Sequence, residues 1–187
     1  MPKAAAKPKE MVKALSPEYA LLGFLMRQPA HGYELHQQLQ TELGQVWRVS
    51  QSQTYNILKR LELQGFIVGQ VKRQIKLPNQ REFHLTPQGQ ARFTEWLHAP
   101  GRSSVRGIRL EFLTRLYFVR AIEGKRPAQK LIEAQQAIAS AKLDALKQQW
   151  SADAVQGAYN QLSVALQLRQ LESVLKWLAQ CQEQFNS

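Results

Sequence analysis

The stretch VSQSQTYNILKRLELQGFI, from Val49 to Ile67, decides the fold of this chain. Ser50 followed three residues later by Gln53 is the pattern of a capping box, which predicts that a helix begins here. Gly65 predicts where it ends. At about 100° per residue, one face of this helix is apolar; it consists of Thr54, Ile57, Leu58 and Leu61. The opposite face is polar, and the function of the chain depends on what that polar face contacts.

Two shorter helices are predicted in front of this one. Ser16 as the N-cap, with Pro17 at the first helical position, indicates the start of the first helix, and Pro29 interrupts it. The second helix ends at Gly44. Leucines at helical spacing provide the apolar faces, namely Leu21, Leu22 and Leu25 in the first helix and Leu35, Leu39 and Leu43 in the second.

A β-hairpin and a further helix are predicted after the polar-faced helix. FIVGQVKRQI (66–75) and REFHLT (81–86) have the composition of strands, and KLPNQ (76–80) has that of a turn. Thr86, followed by a proline, predicts the cap of the next helix. Three helices followed by a hairpin indicate a winged helix-turn-helix over residues 16–98, so the fold class is mainly α with a small β-hairpin.

The second half of the chain is predicted to be helical. A polar linker containing Gly and Pro (99–107) leads into a helix with a large apolar face (108–122). The next helix (128–150) has a seam with several small residues, namely Leu131, Ala134, Ile138, Ala141 and Ala145. The last helix (154–183) has two apolar stripes, one through Val155, Tyr159, Leu162 and Leu166 and one through Val164, Leu168, Leu171, Leu175 and Leu178.

A helix with two apolar stripes needs partners on two sides, and three helices can hardly bury this surface alone. We therefore expect residues 108–187 to be an α-helical dimerisation domain that binds a second copy of the chain, since most oligomers are symmetric. The alternative is a closed monomeric helical bundle. Candidate interface residues are Leu113, Leu116 and Val164.

The positive charge is concentrated in the first two thirds of the chain. The formal net charge is +11 over 187 residues, yet residues 129–187 contain five basic and five acidic residues and contribute none of it. Residues 1–15, rich in Lys, Ala and Pro, contribute +3 and are expected to form a flexible basic arm. This separation indicates a polyanion-binding part and a separate assembly part.

Composition also bounds the location of the protein. No stretch approaches the roughly 20 apolar residues of a membrane span, and the start of the sequence has no apolar signal-peptide core. The single cysteine, Cys181, excludes an internal disulfide framework. We expect a cytoplasmic protein that is associated with the bacterial nucleoid if it binds DNA.

The polar face of the third helix is predicted to be a recognition helix. The major groove of DNA admits a helix, and Asn, Gln, Lys and Arg match base edges or phosphates. On polarity alone, an ordinary solvated face would be the simpler interpretation. The hairpin favours DNA, because a basic wing beside such a helix binds the phosphates of the neighbouring groove. The candidates are Ser52, Gln53, Tyr55, Asn56, Lys59 and Arg60 on the helix and Lys72, Arg73, Lys76 and Arg81 on the wing.

Four segments of the chain resemble the PadR family of bacterial transcription regulators. They are ALLGFLMRQPAHGYELHQQL (20–39), VSQSQTYNILKRLELQGFI (49–67), REFHLTPQGQARFTEWL (81–97) and RLEFLTRLYF (109–118). The resemblance is close over roughly residues 16–120. The remaining helices resemble in type those of the longer, AphA-like branch, in which C-terminal helices form an intertwined dimer.

The resemblance implies roles for particular residues. In the family, the first residues of the recognition helix and its tyrosine lie near DNA, which corresponds to Ser52, Gln53 and Tyr55. Tyr33 matches a tyrosine of the second helix, with a phosphate contact and a packing role both open. Asn56 stands where many members have proline.

The family also includes proteins that bind phenolic acids or planar drugs between the two parts. A small aromatic effector is therefore a candidate partner. The tryptophans could line such a site or fill the core; they are Trp47, Trp96, Trp150 and Trp177.

No catalytic pattern is evident in the sequence. There is no Walker loop, Rossmann glycine pattern or His-Glu zinc motif, and the histidines lack metal-ligand spacing; they are His31, His36, His84 and His98. We expect no enzymatic activity and no cofactor. The predicted function is that of a homodimeric transcriptional regulator, a repressor, on a double-stranded inverted-repeat operator. The alternative is an architectural or protein-binding winged-helix adaptor.

Overall fold

The computed structural model describes residues 15–72, 80–151 and 155–186. Its elements are α1 (Glu18–Arg27), β1 (Ala30–His31), α2 (Gly32–Leu43), α3 (Gln51–Leu63), β2 (Ile67–Lys72), β3 (Gln80–Leu85), α4 (Pro87–His98), α5 (Val105–Gly107), a π-helical segment (Ile108–Phe112), α6 (Leu113–Ile122), α7 (Lys125–Ser151) and α8 (Ala158–Asn186). The part from α1 to α4 is a winged helix, and the rest is helical. The predicted fold class is confirmed.

A three-stranded antiparallel sheet completes the winged helix, with the strand order β1-β3-β2. In the hairpin, Ile67 pairs with Leu85 and the register runs out to Lys72. The sequence contains no signal for β1, because two residues are too few for a periodic pattern. β1 pairs Ala30 with Phe83, and it therefore fixes the start of α2 against the wing.

The caps of α3 and α4 are as predicted. Ser50 Oγ accepts a hydrogen bond from the N–H of Gln53 at 3.3 Å, and Gln53 Oε1 accepts one from the N–H of Ser50 at 2.9 Å. This reciprocal pair is the predicted capping box. Thr86 Oγ1 accepts from the N–H of Gly89 at 3.1 Å and caps α4.

The first helix begins one residue later than predicted. The N-cap is Pro17 rather than Ser16, and Pro17 makes no side-chain capping hydrogen bond. Pro17 has a helical φ of −69°, and its carbonyl oxygen accepts from the N–H of Ala20 at 3.0 Å, so the proline occupies the capping position. The Ser16 hydroxyl contacts the N–H of Glu18 at 3.4 Å.

One hydrophobic core joins the winged helix to the C-terminal helices. The predicted apolar faces of α1, α2 and α3 are buried in it. Phe24 of α1 and Phe93 of α4 meet Phe118 of α6 with ring centroids 5.3 and 5.5 Å apart. Gly23 lies against the Phe118 ring, where a side chain has no room. The winged helix therefore has a fixed position relative to α6.

The stretch predicted as a linker (99–107) is shorter in the structure, because α5 already begins inside it. Arg115 of α6 binds the start of this stretch, since its guanidinium donates a hydrogen bond to the carbonyl oxygen of Ala99 at 2.6 Å. The side chain of Arg115 is only 3% exposed, and its ion-pair partner Glu111 also binds Arg102 at 2.6 Å. Burial lowers the pKa of Arg115, while Glu111 opposes that shift.

α7 and α8 pack as an antiparallel pair, in which Gln129 Nε2 donates to the carbonyl oxygen of Phe185 at 3.1 Å. The predicted seam of α7 is wrong for its small residues, because Ala134, Ala141 and Ala145 are exposed in the single chain, whereas Leu131 and Ile138 are partly buried. The buried positions are Ala128, Ile132, Gln135, Ala139, Leu143 and Leu146. Two neighbouring rows of residues fit the same helical spacing, and the contacts with α8, with α6 and with the stretch 99–107 select between them.

The two apolar stripes of α8 have different surroundings. Leu171 and Leu178 of one stripe are buried, and the rest of that stripe is partly buried against the same chain. The other stripe is open, with Tyr159 88%, Leu162 66% and Leu166 57% exposed. Two of the candidate interface residues also face the core of their own chain, since Leu116 is buried and Val164 is partly buried. The third, Leu113, is half-buried.

Candidate nucleic-acid interface

The polar face of α3 is exposed, as the periodicity predicts. Ser52, Gln53, Asn56 and Lys59 are all open to solvent, and Tyr55 is 43% exposed. Asn56 lines two grooves, one on either side of α3. Asn56 therefore lies at the crest of the helix, between the grooves.

The first of these is the wing-side groove, which lies between α3, the start of α2 and the hairpin. Its residues include Tyr33, Tyr55, Asn56, Lys59, Leu63 and Arg81. The Tyr55 ring packs against Gly32, where an added Cβ would come within 2.7 Å of the ring. Tyr33 is 53% exposed, and its hydroxyl accepts from Gln37 Nε2 at 2.7 Å. Both predicted tyrosines thus border this groove, and β1 holds the backbone beneath them.

Only two of the four predicted wing cations, Lys72 and Arg81, lie within the described residues. Lys72 ends β2, where its backbone pairs with Gln80, while Arg73 and Lys76 lie outside the described residues. Arg81 is about half exposed, and its guanidinium binds Glu62 Oε1 at 2.6 Å. The same oxygen accepts from the N–H of Gly69 at 2.9 Å. Glu62 thus attaches the wing to α3 and neutralises one of the predicted phosphate contacts.

The second groove that Asn56 lines, named the arm-side groove, lies on the side of α3 away from the wing. Its residues include Ser16, Pro17, Arg48, Gln53, Asn56 and Arg60. Arg60 binds Glu18 Oε2 at 2.9 Å, and Glu18 also pairs with Arg92. Arg92 lies over the Phe66 ring, 4.3 Å from its centroid. Arg60 therefore shares one carboxylate with Arg92, which leaves the three side chains with a net charge of +1, and the Arg60 side chain is 51% exposed.

Two cations beside α3 have no such partner. Arg48 and Lys59 are exposed, and neither makes a hydrogen bond or an ion pair with the part of the chain that the structure describes. Their charges are therefore available to an outside anion. Arg48 carries no periodic signal; it could have been identified only by its place two residues in front of the capping box.

The capping box limits one predicted base contact. Gln53 Oε1 is turned back to the N–H of Ser50, so its amide carbonyl is already in use. Reading an adenine edge with both amide atoms would break that cap. Asn56 makes no hydrogen bond with the described residues, so both polar atoms of its amide remain available.

The turn in front of α3 is anchored to the C-terminal part. Trp47 is buried, and its indole N–H donates to Thr114 Oγ1 at 2.8 Å. The Thr114 hydroxyl donates in turn to the carbonyl oxygen of Leu110 at 2.6 Å, inside the π-helical segment. Trp47 and Thr114 are 67 positions apart, so no local sequence pattern predicts their contact.

The tryptophans mostly fill core positions. Trp96 stacks on Tyr19 with centroids 4.5 Å apart, and Trp177 meets Phe112 edge-on. Trp150 is 43% exposed. Within the described ranges, no group of three or more His, Cys, Asp or Glu side chains could hold a metal ion. Among these ranges, too, none of the helices is long and apolar enough to span a membrane.

Comparisons with known proteins show the family to which the chain belongs. Residues 21–95 match the model of the transcriptional regulator PadR-like family. The chain is 31% identical over 147 residues to the negative transcriptional regulator PadR of Bacillus subtilis (strain 168), which covers 78% of this chain and 74% of that protein.

Solved structures with similar sequences include two complexes of Bacillus subtilis PadR. The complex with operator DNA is 26% identical and covers 90% of this chain and 98% of the other, with a TM-score of 0.43. The complex with p-coumaric acid is 25% identical and covers 91% of this chain and 99% of the other, with a TM-score of 0.41. The PadR-like regulator BC1756 of Bacillus cereus is 20% identical and covers 96% of this chain and 99% of the other, with a TM-score of 0.43.

Proposed function

Because the chain belongs to the PadR-like family of transcriptional regulators, we propose that it represses transcription by binding an inverted-repeat operator as a homodimer. The observation that carries this proposal is the exposed polar face of α3, which lies between two grooves that contain cations. The description of the Bacillus subtilis relative as a negative regulator supports repression.

The chemistry of α3 is suited to the major groove. The Asn56 side chain can donate and accept at once, which is what an adenine edge requires, and Lys59 follows one turn later for a guanine or a phosphate. Ser52 is small enough for the helix N-terminus to come close to the groove. Tyr55 supports this surface by packing on Gly32 at the start of α2.

The open stripe of α8 supports a homodimer. Tyr159, Leu162 and Leu166 expose apolar surface along one face of a long helix. A second copy would cover this stripe isologously, since a twofold axis brings the same patch of both chains together. In this proposal residues 16–98 bind DNA, residues 108–187 form the dimer, and two copies of α3 face half-sites whose centres lie about 34–36 Å apart.

Release by a small aromatic ligand is a further part of the proposal, and it depends on family resemblance alone. A thermal-shift series with phenolic acids at several concentrations tests it. A ligand that binds the folded protein raises Tm with its concentration. The same ligand should weaken operator binding if it is an effector.

The decisive experiment uses the DNA that flanks the gene for this protein. The purified full chain should protect an inverted repeat there and should bind it at least about 1,000-fold more tightly than scrambled duplex at the same salt concentration. Equal affinity for both duplexes would favour the architectural or adaptor function instead. Transcription with and without the protein on that template then decides between repression and activation.

A further inference from the structure

Leu63, in the last turn of α3, is an apolar side chain on the polar face of the helix. It is 80% exposed, whereas Leu58 and Leu61 of the same helix are buried. At 100° per residue, Leu63 lies within about 20° of Asn56 and about 40° of Lys59 around the helix axis. Leu63 therefore continues the row of exposed residues that would face DNA.

The end of α3 gives Leu63 no role in stopping the helix. Gly65 has a φ of +76°, and its N–H donates to the carbonyl oxygen of Glu62 at 2.9 Å. The N–H of Phe66 donates to the carbonyl oxygen of Leu61 at 3.0 Å. This pair of hydrogen bonds is a Schellman motif, whose usual apolar contact joins the positions of Phe66 and Leu61. Leu63 takes no part in this motif.

The surroundings of Leu63 are positively charged and fixed in place. Leu63 borders the wing-side groove together with Lys59 and Arg81. Glu62 binds both the Arg81 guanidinium at 2.6 Å and the N–H of Gly69 at 2.9 Å, so the hairpin is attached to the last turn of α3. An exposed leucine beside cations is suited to a polyanion that carries apolar groups. The major groove of DNA is such a surface, because each thymine presents a C5-methyl group there.

We propose that Leu63 is a specificity-determining residue that contacts the C5-methyl group of a thymine in the major groove. The proposal rests on the proposed function, because it places α3 against duplex DNA. At 1.5 Å per residue, Leu63 lies about 10 Å beyond Asn56 along the helix, and base pairs follow one another at about 3.4 Å. With α3 lying along the groove, this thymine is about three base pairs from the base that Asn56 contacts.

The test replaces thymine with uracil, which lacks the C5-methyl group and keeps every hydrogen-bonding atom. Uracil is placed at each thymine of the protected inverted repeat in turn, at the same position of both half-sites. Affinities of the wild-type chain and of Leu63→Ala are measured at one salt concentration, with scrambled duplex alongside. Leu63→Met keeps an apolar side chain of similar size. The matched control, Ile122→Ala, shortens an apolar side chain that is 39% exposed at the end of α6.

We expect the wild-type chain to respond to uracil at one thymine of each half-site. Burial of one methyl group corresponds to about a fourfold change in affinity, and thus to about 15-fold for two half-sites. Leu63→Ala should bind the unmodified operator more weakly by a similar factor and should not respond to uracil at that thymine. Leu63→Met and Ile122→Ala should respond as the wild-type chain does. Affinity for scrambled duplex should stay the same in all variants, because that binding is mostly electrostatic.

The inference is overturned if Leu63→Ala keeps the wild-type response to uracil at every thymine, or if the wild-type chain responds at none. A loss in Leu63→Ala that is equal for operator and scrambled duplex also overturns it, since the side chain would then contact the sugar-phosphate backbone. Unchanged Tm values verify folding, as expected for a side chain this exposed.

The proposed function fails separately, if the wild-type chain binds operator and scrambled duplex equally, and the inference then fails with it. A wild-type chain that discriminates, together with a Leu63→Ala variant that keeps the full methyl response, refutes the inference alone.

Discussion

Trp47 donates its indole N–H to Thr114 Oγ1 across 2.8 Å, and this hydrogen bond joins the turn in front of α3 to the helix that follows the π-helical segment. Both side chains are buried, and the Thr114 hydroxyl donates onward to Leu110. A displacement of α6 would therefore act on the start of the proposed recognition helix.

Thr114→Val should destabilise the fold and weaken operator binding. The indole N–H would be buried without an acceptor, which costs about 1–3 kcal/mol, and at about 2–4 °C per kcal/mol for a chain of this size the loss is visible in Tm. Thr114→Ser keeps the hydroxyl and should retain more of the stability and more of the operator affinity than Thr114→Val. Combining Thr114→Val with Trp47→Phe should cost less than the sum of the two single variants, and strict additivity would show that the hydrogen bond contributes nothing.

Glu62→Gln should strengthen binding to DNA of any sequence. Glu62 binds Arg81 at 2.6 Å, so the substitution removes a negative charge beside α3 and frees a wing cation. The salt slope should steepen by about 0.9 per protomer if Arg81 then contacts a phosphate. Glu95→Gln makes the same charge change on the exposed side of α4 and is the control. Equal effects of the two variants would mean that only net charge matters.

Leu162→Glu with Leu166→Glu should produce folded monomers. Both leucines are more than half exposed in one chain, so the substitutions affect only a surface that a second copy would cover. Operator affinity should fall by roughly 100-fold or more, because two linked half-site contacts become one. Leu171→Glu, at a position 4% exposed, should instead unfold the chain. Dimers of the double variant in sedimentation would place the interface elsewhere.

Cys181 should react slowly with iodoacetamide in the native protein. Burial raises the pKa of its thiol above the ordinary value, and the thiolate is the reactive form, so less of it is present at pH 7–8. Reactivity should rise with pH and on addition of denaturant. Ser140→Cys with Cys181→Ala provides an exposed thiol on α7 for comparison. Equal rates for the two thiols at pH 7.5 would contradict the burial of Cys181.

Local patterns in the sequence were sufficient for the helices and the hairpin of the winged helix but not for β1. The capping box at Ser50 and Gln53 and the four-residue spacing of apolar residues depend on neighbours in sequence, and the structure has them as predicted. The same kind of pattern was only partly right on α7, where two rows of residues fit one spacing and the packing of α8, α6 and the stretch 99–107 buries mainly the other row. Periodicity identifies an apolar row and does not identify its partner.

The candidate site was predictable in part for a related reason. Exposure of Asn56 and Lys59 follows from their place on the helix, which the sequence determines. The ion pairs that occupy Arg60 and Arg81 join residues 42 and 19 positions apart, and they appear only once the chain is folded. The sequence therefore predicted DNA contacts for two cations, Arg60 and Arg81, that have internal partners in the folded chain. It gave no prediction for Arg48.

Competition between operator and scrambled duplexes on Asn56→Ala tests most directly whether α3 reads DNA. Asn56 is exposed, lies between the two grooves and supports no other part of the fold that the structure describes, so its loss should leave Tm unchanged. A bidentate base contact contributes about 1–3 kcal/mol of discrimination, which is about 5- to 150-fold per half-site. At one salt concentration, the operator-to-scrambled ratio should fall by at least that factor while affinity for scrambled DNA stays the same. An unchanged ratio on folded protein would contradict the assignment of α3 as the recognition helix.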